Sequence, residues 1–118
     1  MTNQISLAPA ARADIIDILD WSAQNFGAKV REGYEALIVA AFDLIREDPS
    51  VLGSRERADL AEGLRTLHLR ACRNEVSPAV RRIASPRHFV VYRHVGEVVQ
   101  VVRLLHESMD VTAINFTG

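Results

Sequence analysis

The fold is decided by the stretch His88-Phe-Val-Val-Tyr-Arg-His-Val-Gly-Glu-Val-Val-Gln-Val-Val-Arg-Leu-Leu-His106. Residues 89–93 and 98–105 are rich in β-branched and aromatic side chains, a composition typical of strands. Residues 94–97 separate them and contain Gly96, which supplies the positive φ that a tight turn requires. The stretch is therefore predicted to form a β-hairpin.

Three polar side chains interrupt this apolar hairpin: Arg93, Arg103 and His106. Burying an unpaired guanidinium costs several kcal/mol or more. We therefore expect these side chains either to meet acidic partners or to emerge on a solvent-facing side of the sheet.

The rest of the chain predicts two strands and two helices. A short strand covers Gln4–Leu7, a helix begins near Pro9 and ends at Gly27, a second helix covers residues 28–47, and a strand covers residues 64–69. Apolar residues recur every three or four positions in both helices, and a helix hairpin laid on a sheet buries both apolar faces. The predicted class is α+β in the order β-α-α-β-β-β, with the helix hairpin on one face of a three-stranded antiparallel sheet.

Three segments have no strong periodicity. Residues 49–63 are polar and rich in turn-forming residues, so they are predicted to be a connection with a helical turn near residues 58–62. Residues 70–87 contain Pro78 and Pro86 and five arginines, and we predict a long exposed arm there. Residues 111–116 are predicted to form a short C-terminal helix or a loose tail.

The composition is that of an ordinary globular protein. Hydrophobic residues make up 48% and charged residues 25% of the 118 residues, which is enough for one core. Cys72 is the only cysteine, so a reducing compartment is expected. No apolar run approaches the ~20 residues that a membrane span needs. We predict one domain over residues 1–118, cytoplasmic, without a membrane contact, a cofactor or a metal.

Charge is distributed unevenly along the chain, although the net charge is only −1. Residues 1–62 carry eleven acidic and six basic side chains, whereas residues 63–118 carry four acidic side chains and eight arginines. The basic half is predicted either to present a positive surface to an acidic partner or to be neutralised by the acidic half within the fold.

Short patterns along nearly the whole chain resemble the ParE/RelE family of toxins from bacterial type II toxin–antitoxin systems, and most closely the ParE branch. They are Leu7-Ala8-Pro9-Ala10-Ala11 with Asp14 and Ile18, Phe26-Gly27, Asp48-Pro49 with Gly53, Gly63-Leu64-Arg65-Thr66-Leu67, Val91-Tyr92-Arg93, Val101-Val102-Arg103-Leu104-Leu105-His106 and Asp110. The resemblance implies a single ParE/RelE-like toxin domain with the fold predicted above.

The resemblance implies three alternative functions. A ParE-like plasmid-stabilisation toxin inhibits DNA gyrase by protein binding, is not an enzyme, and forms a hetero-oligomer with a small ParD-like antitoxin that neutralises it. A RelE-like toxin is a metal-independent, ribosome-dependent endoribonuclease that contacts nucleic acid directly. In the third alternative, the protein is a non-toxic binding module with the same fold. The ParE-like function is preferred because the last tyrosine is Tyr92, so the terminal cluster of the nuclease branch is missing.

Only histidine and glutamate side chains are suited to carry protons in the nuclease alternative. Cleavage by a 2′-hydroxyl needs a base, an acid and cations beside the phosphate. Arginine supplies only the cations, because its pKa lies above ~12. His106, Arg65 and Arg103 are the catalytic candidates, among four histidines that also include His68, His88 and His94. In the structural interpretation His106 bonds backbone or Asp110, and the arginines pair with Asp14 or Asp17.

Binding candidates were drawn from the basic half, because a guanidinium pairs bidentately with carboxylate or phosphate. They are Arg65, Arg70, Arg73, Arg81, Arg82, Arg87, Tyr92 and Arg93. The apolar positions of the helix hairpin, the arm and an uncovered sheet face are expected to bind the antitoxin. The alternatives are that the arm is merely solvated, that Tyr92 lies in the core, and that Trp21 packs between helix and sheet.

Overall fold

The secondary structure of the computed structural model, which describes residues 3–116, follows the predicted order with one added strand. The strands are β1 (Gln4–Leu7), β2 (Arg55–Glu56), β3 (Leu64–His68), β4 (His88–Val95) and β5 (Val98–His106), and the helices are α1 (Pro9–Phe26) and α2 (Ala28–Glu47). Short 3-10 helices cover Leu69–Glu75 and Val111–Ala113. The α+β class is confirmed.

The five strands form one sheet in the order β1-β5-β4-β3-β2. The β4–β5 hairpin lies at its centre, β1 runs parallel to β5, and the other pairs are antiparallel. The sheet therefore has two more strands than the predicted three, because β1 joins one edge and β2 the other.

The connection before β3 contains a helical turn near the predicted position and a short strand that was not predicted. Arg55 and Glu56 pair with Thr66 and Arg65 to make β2. The Arg57 amide donates to the Leu64 carbonyl oxygen at 2.8 Å, which closes residues 58–63 into turns. Within these turns the Leu60 and Ala61 amides donate to the Arg57 carbonyl oxygen at 3.0 and 3.4 Å, which makes one helical turn.

The two helices cover one face of the sheet. Gly27, at φ 91°, joins them without further loop residues. The core between helices and sheet contains Ile18, Leu19, Leu37, Ala41 and Ile45 from the helices and Leu67, Val90, Tyr92, Val99, Val101 and Leu104 from the strands. This arrangement confirms the predicted helix hairpin on one face.

A second, smaller core lies on the opposite face of the sheet. Phe116 is 4% exposed and packs with Leu64, Val91 and Leu105. The Arg93 guanidinium donates to the Phe116 carbonyl oxygen at 3.0 Å and ties the C-terminal segment down. The expectation of an uncovered face is therefore wrong, because the segment leading to Phe116 returns to bury apolar strand residues.

The arm at residues 70–87 is partly packed rather than extended into solvent. The 3-10 helix Leu69–Glu75 buries Leu69 and Cys72. Further along, the Arg81 carbonyl oxygen lies so close to α2 that a Cβ at Gly33 would collide with it. The missing side chain of Gly33 is what allows the arm to cross the helix.

Candidate protein-binding site

An apolar groove of about 730 Å³ opens between the two helices, the arm and one end of the sheet. We call it the aromatic groove. Its apolar lining comes from Ile18, Trp21 and Phe26 of α1, Val30 and Tyr34 of α2, and Ile83 of the arm, and its polar lining includes Asp17, Ser22, Arg87, His88 and His106. A concave, mainly apolar site with a few converging polar groups is the usual form of a binding site.

Two aromatic side chains on the rim of the groove face solvent. Trp21 is 56% exposed and Phe26 61% exposed, and their rings meet edge to face with centroids 5.4 Å apart. Packing of Trp21 between helix and sheet is therefore wrong. Ile18 and Ser22 occupy the inward face of α1, which leaves Trp21 on the flank. Exposed aromatic pairs of this kind mark interaction sites.

Neutral polar groups form the floor of the groove. The Tyr34 hydroxyl accepts from the Arg87 amide at 3.1 Å and lies 2.5 Å from His88 Nδ1. The His88 ring also meets the His106 ring edge to face at 5.0 Å. Burial, with His106 and His68 nearby, lowers the pKa of His88 to about 4. His88 is therefore uncharged at neutral pH and compatible with an apolar occupant.

His106 is held by Ser108 rather than by Asp110. Its Nδ1 accepts from the Ser108 amide at 3.1 Å and lies 2.7 Å from the Ser108 hydroxyl. The Asp110 carboxylate accepts from Thr112 instead. Because Nδ1 accepts, Nε2 is the ring nitrogen that is left to donate, on the ring edge away from Ser108.

Arg103 and Arg65, the other two catalytic candidates, have partners of their own. Arg103 Nε and Nη2 donate to the two carboxylate oxygens of Asp14 at 2.7 and 3.0 Å. Arg65 Nε donates to Ser54 Oγ at 2.9 Å, and its Nη1 lies 3.4 Å from Glu56. The structure thus brings His106 next to His88, and it holds the two arginines in separate contacts.

Tyr92 belongs to the core. Its side chain is fully buried, and its hydroxyl donates to the Pro49 carbonyl oxygen at 2.5 Å and lies 2.6 Å from Ser54 Oγ. Burial raises the pKa of Tyr92. Together with Arg65 and Ser54, this tyrosine anchors the loop that follows α2 to the sheet.

Several arginines of the arm stabilise the arm itself. Arg73 Nη1 donates to the Ala84 carbonyl oxygen at 2.6 Å, and Arg82 donates to the Asn74 side chain at 3.1 Å. Arg70 and Arg81 are exposed. Arg87 borders the aromatic groove and lies 3.2 Å from Glu107.

Glu107 links the ends of two strands. Its carboxylate lies 2.7 Å from His68 Nε2 and 3.2 Å from Arg87 Nη1. The hydrogen bond from His68, reinforced by Arg87, lowers the pKa of Glu107. Within residues 3–116, no group of three or more His, Cys, Asp or Glu side chains is arranged to hold a metal ion.

Sequence reasoning missed the groove because its parts are distant along the chain. Tyr34 and His88 are separated by 54 residues, and neither spacing nor composition connects them. The two exposed aromatic residues near the end of α1, Trp21 and Phe26, were the one local signal. None of the described helices is long and apolar enough to cross a membrane.

Comparison with known proteins gives consistent matches. A family model described as "ParE toxin of type II toxin-antitoxin system, parDE" matches residues 5–111. Toxin ParE1 of Mycobacterium tuberculosis is 30% identical over 112 residues, which cover 94% of this chain and 96% of the relative. Toxin ParE1 of Caulobacter vibrioides is 33% identical over 107 residues, which cover 91% of this chain and 92% of the relative.

A solved structure described as a chromosomal ParDE TA system from P. aeruginosa has a similar fold. The TM-score is 0.62 at 17% identity, and the match covers 89% of this chain and 96% of that chain. The α+β arrangement of sheet and helix hairpin is therefore shared with that structure.

Proposed function

We propose that this chain, which belongs to the ParE toxin family of type II toxin–antitoxin systems, inhibits DNA gyrase by protein binding. A ParD-like antitoxin neutralises it in this proposal. The toxin acts in the cytoplasm as a single domain. The antitoxin partner is supported by the fold shared with a ParDE system.

The aromatic groove is the observation that carries the antitoxin proposal. Its exposed Trp21–Phe26 pair would lose much of its contact with water beneath an apolar segment of the antitoxin. Burial of apolar area contributes about 25 cal/mol per Å², and aromatic side chains dominate the binding energy of many interfaces. The antitoxin segment is therefore expected to present apolar side chains to this rim.

The polar floor adds selectivity to the same site. Tyr34, the uncharged His88 and His106 supply hydrogen-bonding groups to the floor, and the charged groups of the lining are Asp17 and Arg87. A charged side chain of the partner would be costly to bury there without a counterion. We expect the antitoxin to place apolar groups and main-chain carbonyl oxygens against this floor.

Inhibition by binding, rather than by catalysis, is supported by the contacts of the proposed catalytic side chains. Asp14 neutralises Arg103, and Arg65 is bonded to Ser54 and Glu56. Neither guanidinium is free to stabilise the charge that develops on a phosphate during RNA cleavage. Arg81 and Arg87 remain exposed binding candidates for the antitoxin, and Arg70 remains one for the target.

Two assays with the purified full-length chain test the proposal. In a supercoiling assay we expect gyrase to be inhibited, and in parallel we expect mRNA on ribosomes to stay intact. Cleaved mRNA with normal supercoiling would overturn gyrase inhibition in favour of the nuclease. His106→Ala, which should leave supercoiling inhibition unchanged, is the matched control for a catalytic role.

Co-expression with the product of the adjacent open reading frame tests the antitoxin. A stable complex that restores supercoiling is expected. A monodisperse toxin that forms no complex with that product would contradict the antitoxin proposal.

A further inference from the structure

A second concavity, of about 510 Å³, lies at the edge of the sheet formed by β2 and β3. We call it the basic concavity. Its lining includes Arg55, Arg57, Thr66, His68, Arg70 and Phe89. None of these residues lines the aromatic groove.

The strand register places this concavity on the face of the sheet away from α1 and α2. Thr66 pairs with Val91, and His68 pairs with Phe89. Val91 belongs to the small core beneath the C-terminal segment, and paired residues of neighbouring strands point to the same side of a sheet. The basic concavity and the helix hairpin therefore lie on opposite faces of the sheet.

Three guanidinium groups converge on the basic concavity from different elements. Arg55 begins β2, Arg57 follows it, and Arg70 lies in the 3-10 helix after β3. Arg55 and Arg70 are exposed, and neither forms an ion pair with any of residues 3–116. Two cationic groups are therefore available to an anionic ligand.

The carboxylates around this surface already have cationic or histidine partners. Asp59 accepts two hydrogen bonds from Arg57, at 3.0 and 2.9 Å, and this bidentate pair occupies the Arg57 guanidinium. Glu56 lies 3.4 Å from Arg65, and Glu107 contacts His68 and Arg87. The positive charge of Arg55 and Arg70 is thus not cancelled locally.

The lining favours nucleic acid over an acidic protein segment. Protein interfaces have an apolar centre, whereas interfaces with nucleic acid are more polar and more positively charged. Apart from Gly53, only Ala71 and Phe89 contribute non-polar side chains to this concavity. Guanidinium groups spaced around one concavity suit the oxygens of successive phosphates.

We propose that the basic concavity binds the phosphodiester backbone of a nucleic acid through Arg55 and Arg70. The site is independent of the proposed antitoxin groove, and a toxin that binds gyrase could contact the enzyme's DNA with its other face. Backbone contacts of this kind carry no base specificity.

The test is fluorescence anisotropy of the full-length chain with a labelled 20-mer, prepared as duplex DNA, single-stranded DNA and single-stranded RNA. Two phosphate contacts predict that affinity falls about 10-fold between 50 and 200 mM salt. The oligonucleotide that binds with the highest affinity identifies the type of nucleic acid. A polyglutamate peptide of equal length is the competitor for the acidic-protein alternative.

A charge-matched pair of variants locates the site. The double variant Arg55→Gln with Arg70→Gln should lose about tenfold or more in affinity at 50 mM salt, because two phosphate contacts disappear. Arg12→Gln with Arg31→Gln removes the same charge from the helices and should change affinity less than about twofold. Equal losses in both double variants, no salt-dependent binding, or tighter binding of polyglutamate would overturn the proposal. Antitoxin binding should be unchanged in the first variant, which separates this result from the proposed function.

Discussion

Arg103 and Asp14 form a bidentate ion pair that joins the central hairpin to the first helix. Its two hydrogen bonds measure 2.7 and 3.0 Å, and Asp14 also accepts from the Leu104 amide at 3.0 Å. The side chains are 26% and 15% exposed, so this pair is well shielded from water. The charge of Arg103 is accommodated in the apolar hairpin because Asp14 of α1 pairs with it.

Removing one member of this pair should destabilise the fold. Asp14→Asn keeps the shape of the side chain but leaves a partly buried guanidinium without its counterion, at a cost of about 1.5–3 kcal/mol in the free energy of unfolding. Urea denaturation followed by circular dichroism measures the change. Asp17→Asn, one turn further along α1 and exposed, is the control and should cost less than about 0.5 kcal/mol. Equal effects of the two substitutions would contradict a structural role for the pair.

His88 should make stability depend on pH in the mildly acidic range. Its pKa falls from 6.5 to about 4 in the folded chain, so between these values the unfolded chain binds more protons than the folded one. Stability is therefore highest above pH 6.5 and should fall by about 1–3 kcal/mol as the pH drops towards 4. Denaturation midpoints at pH 7.0, 6.0 and 5.0 follow this loss.

A His88→Gln variant separates the pH dependence of the free energy of unfolding from its absolute value. The variant can lose stability at every pH, because Tyr34 changes its hydrogen-bond partner, but its dependence on pH between 5 and 7 should flatten. A slope as steep as that of the original chain would show that another group is responsible.

Gly33→Ala should be destabilising, against the usual direction in a helix. Alanine in place of glycine ordinarily stabilises a helix interior by about 0.5–1 kcal/mol. Here the new Cβ would collide with the Arg81 carbonyl oxygen, and overpacking of this kind costs about 1–3 kcal/mol. Thermal unfolding gives the sign, and trypsin should cleave the loosened arm faster after Arg81 and Arg82. A stabilised variant with unchanged cleavage would refute the close crossing.

Trp21→Ala should weaken antitoxin binding without weakening the fold. The side chain is 56% exposed, so the free energy of unfolding should change by less than about 1 kcal/mol. A central aromatic side chain of an interface contributes about 2 kcal/mol or more, so affinity should drop roughly 30-fold. Isothermal titration with the purified antitoxin provides the comparison. Leu52→Ala, at a residue that is 96% exposed and does not line the groove, should leave affinity unchanged.

Predictions from local sequence signals were the most successful. The strands β4 and β5 and the boundaries of α1 and α2 follow from side-chain periodicity and from Pro9, Gly27 and Gly96, which act on neighbouring backbone. The match of the ParE family to residues 5–111 confirms the resemblance inferred from short patterns. Pairing of the acidic and basic halves is real but partial, since Arg103–Asp14 and Arg65–Glu56 join them while Arg70 forms no ion pair with any of residues 3–116.

Contacts between distant residues were decided only by the tertiary structure. The sequence by itself determined the helices, the central hairpin, the α+β class and the family, because periodicity and turn residues act over a few positions. Packing decided that Phe116 returns to the sheet, that Tyr34 meets His88 and that Trp21 stays exposed beside the aromatic groove. Each of these outcomes depends on which surfaces remain unburied after the helices and strands have assembled, and no local pattern carries that information.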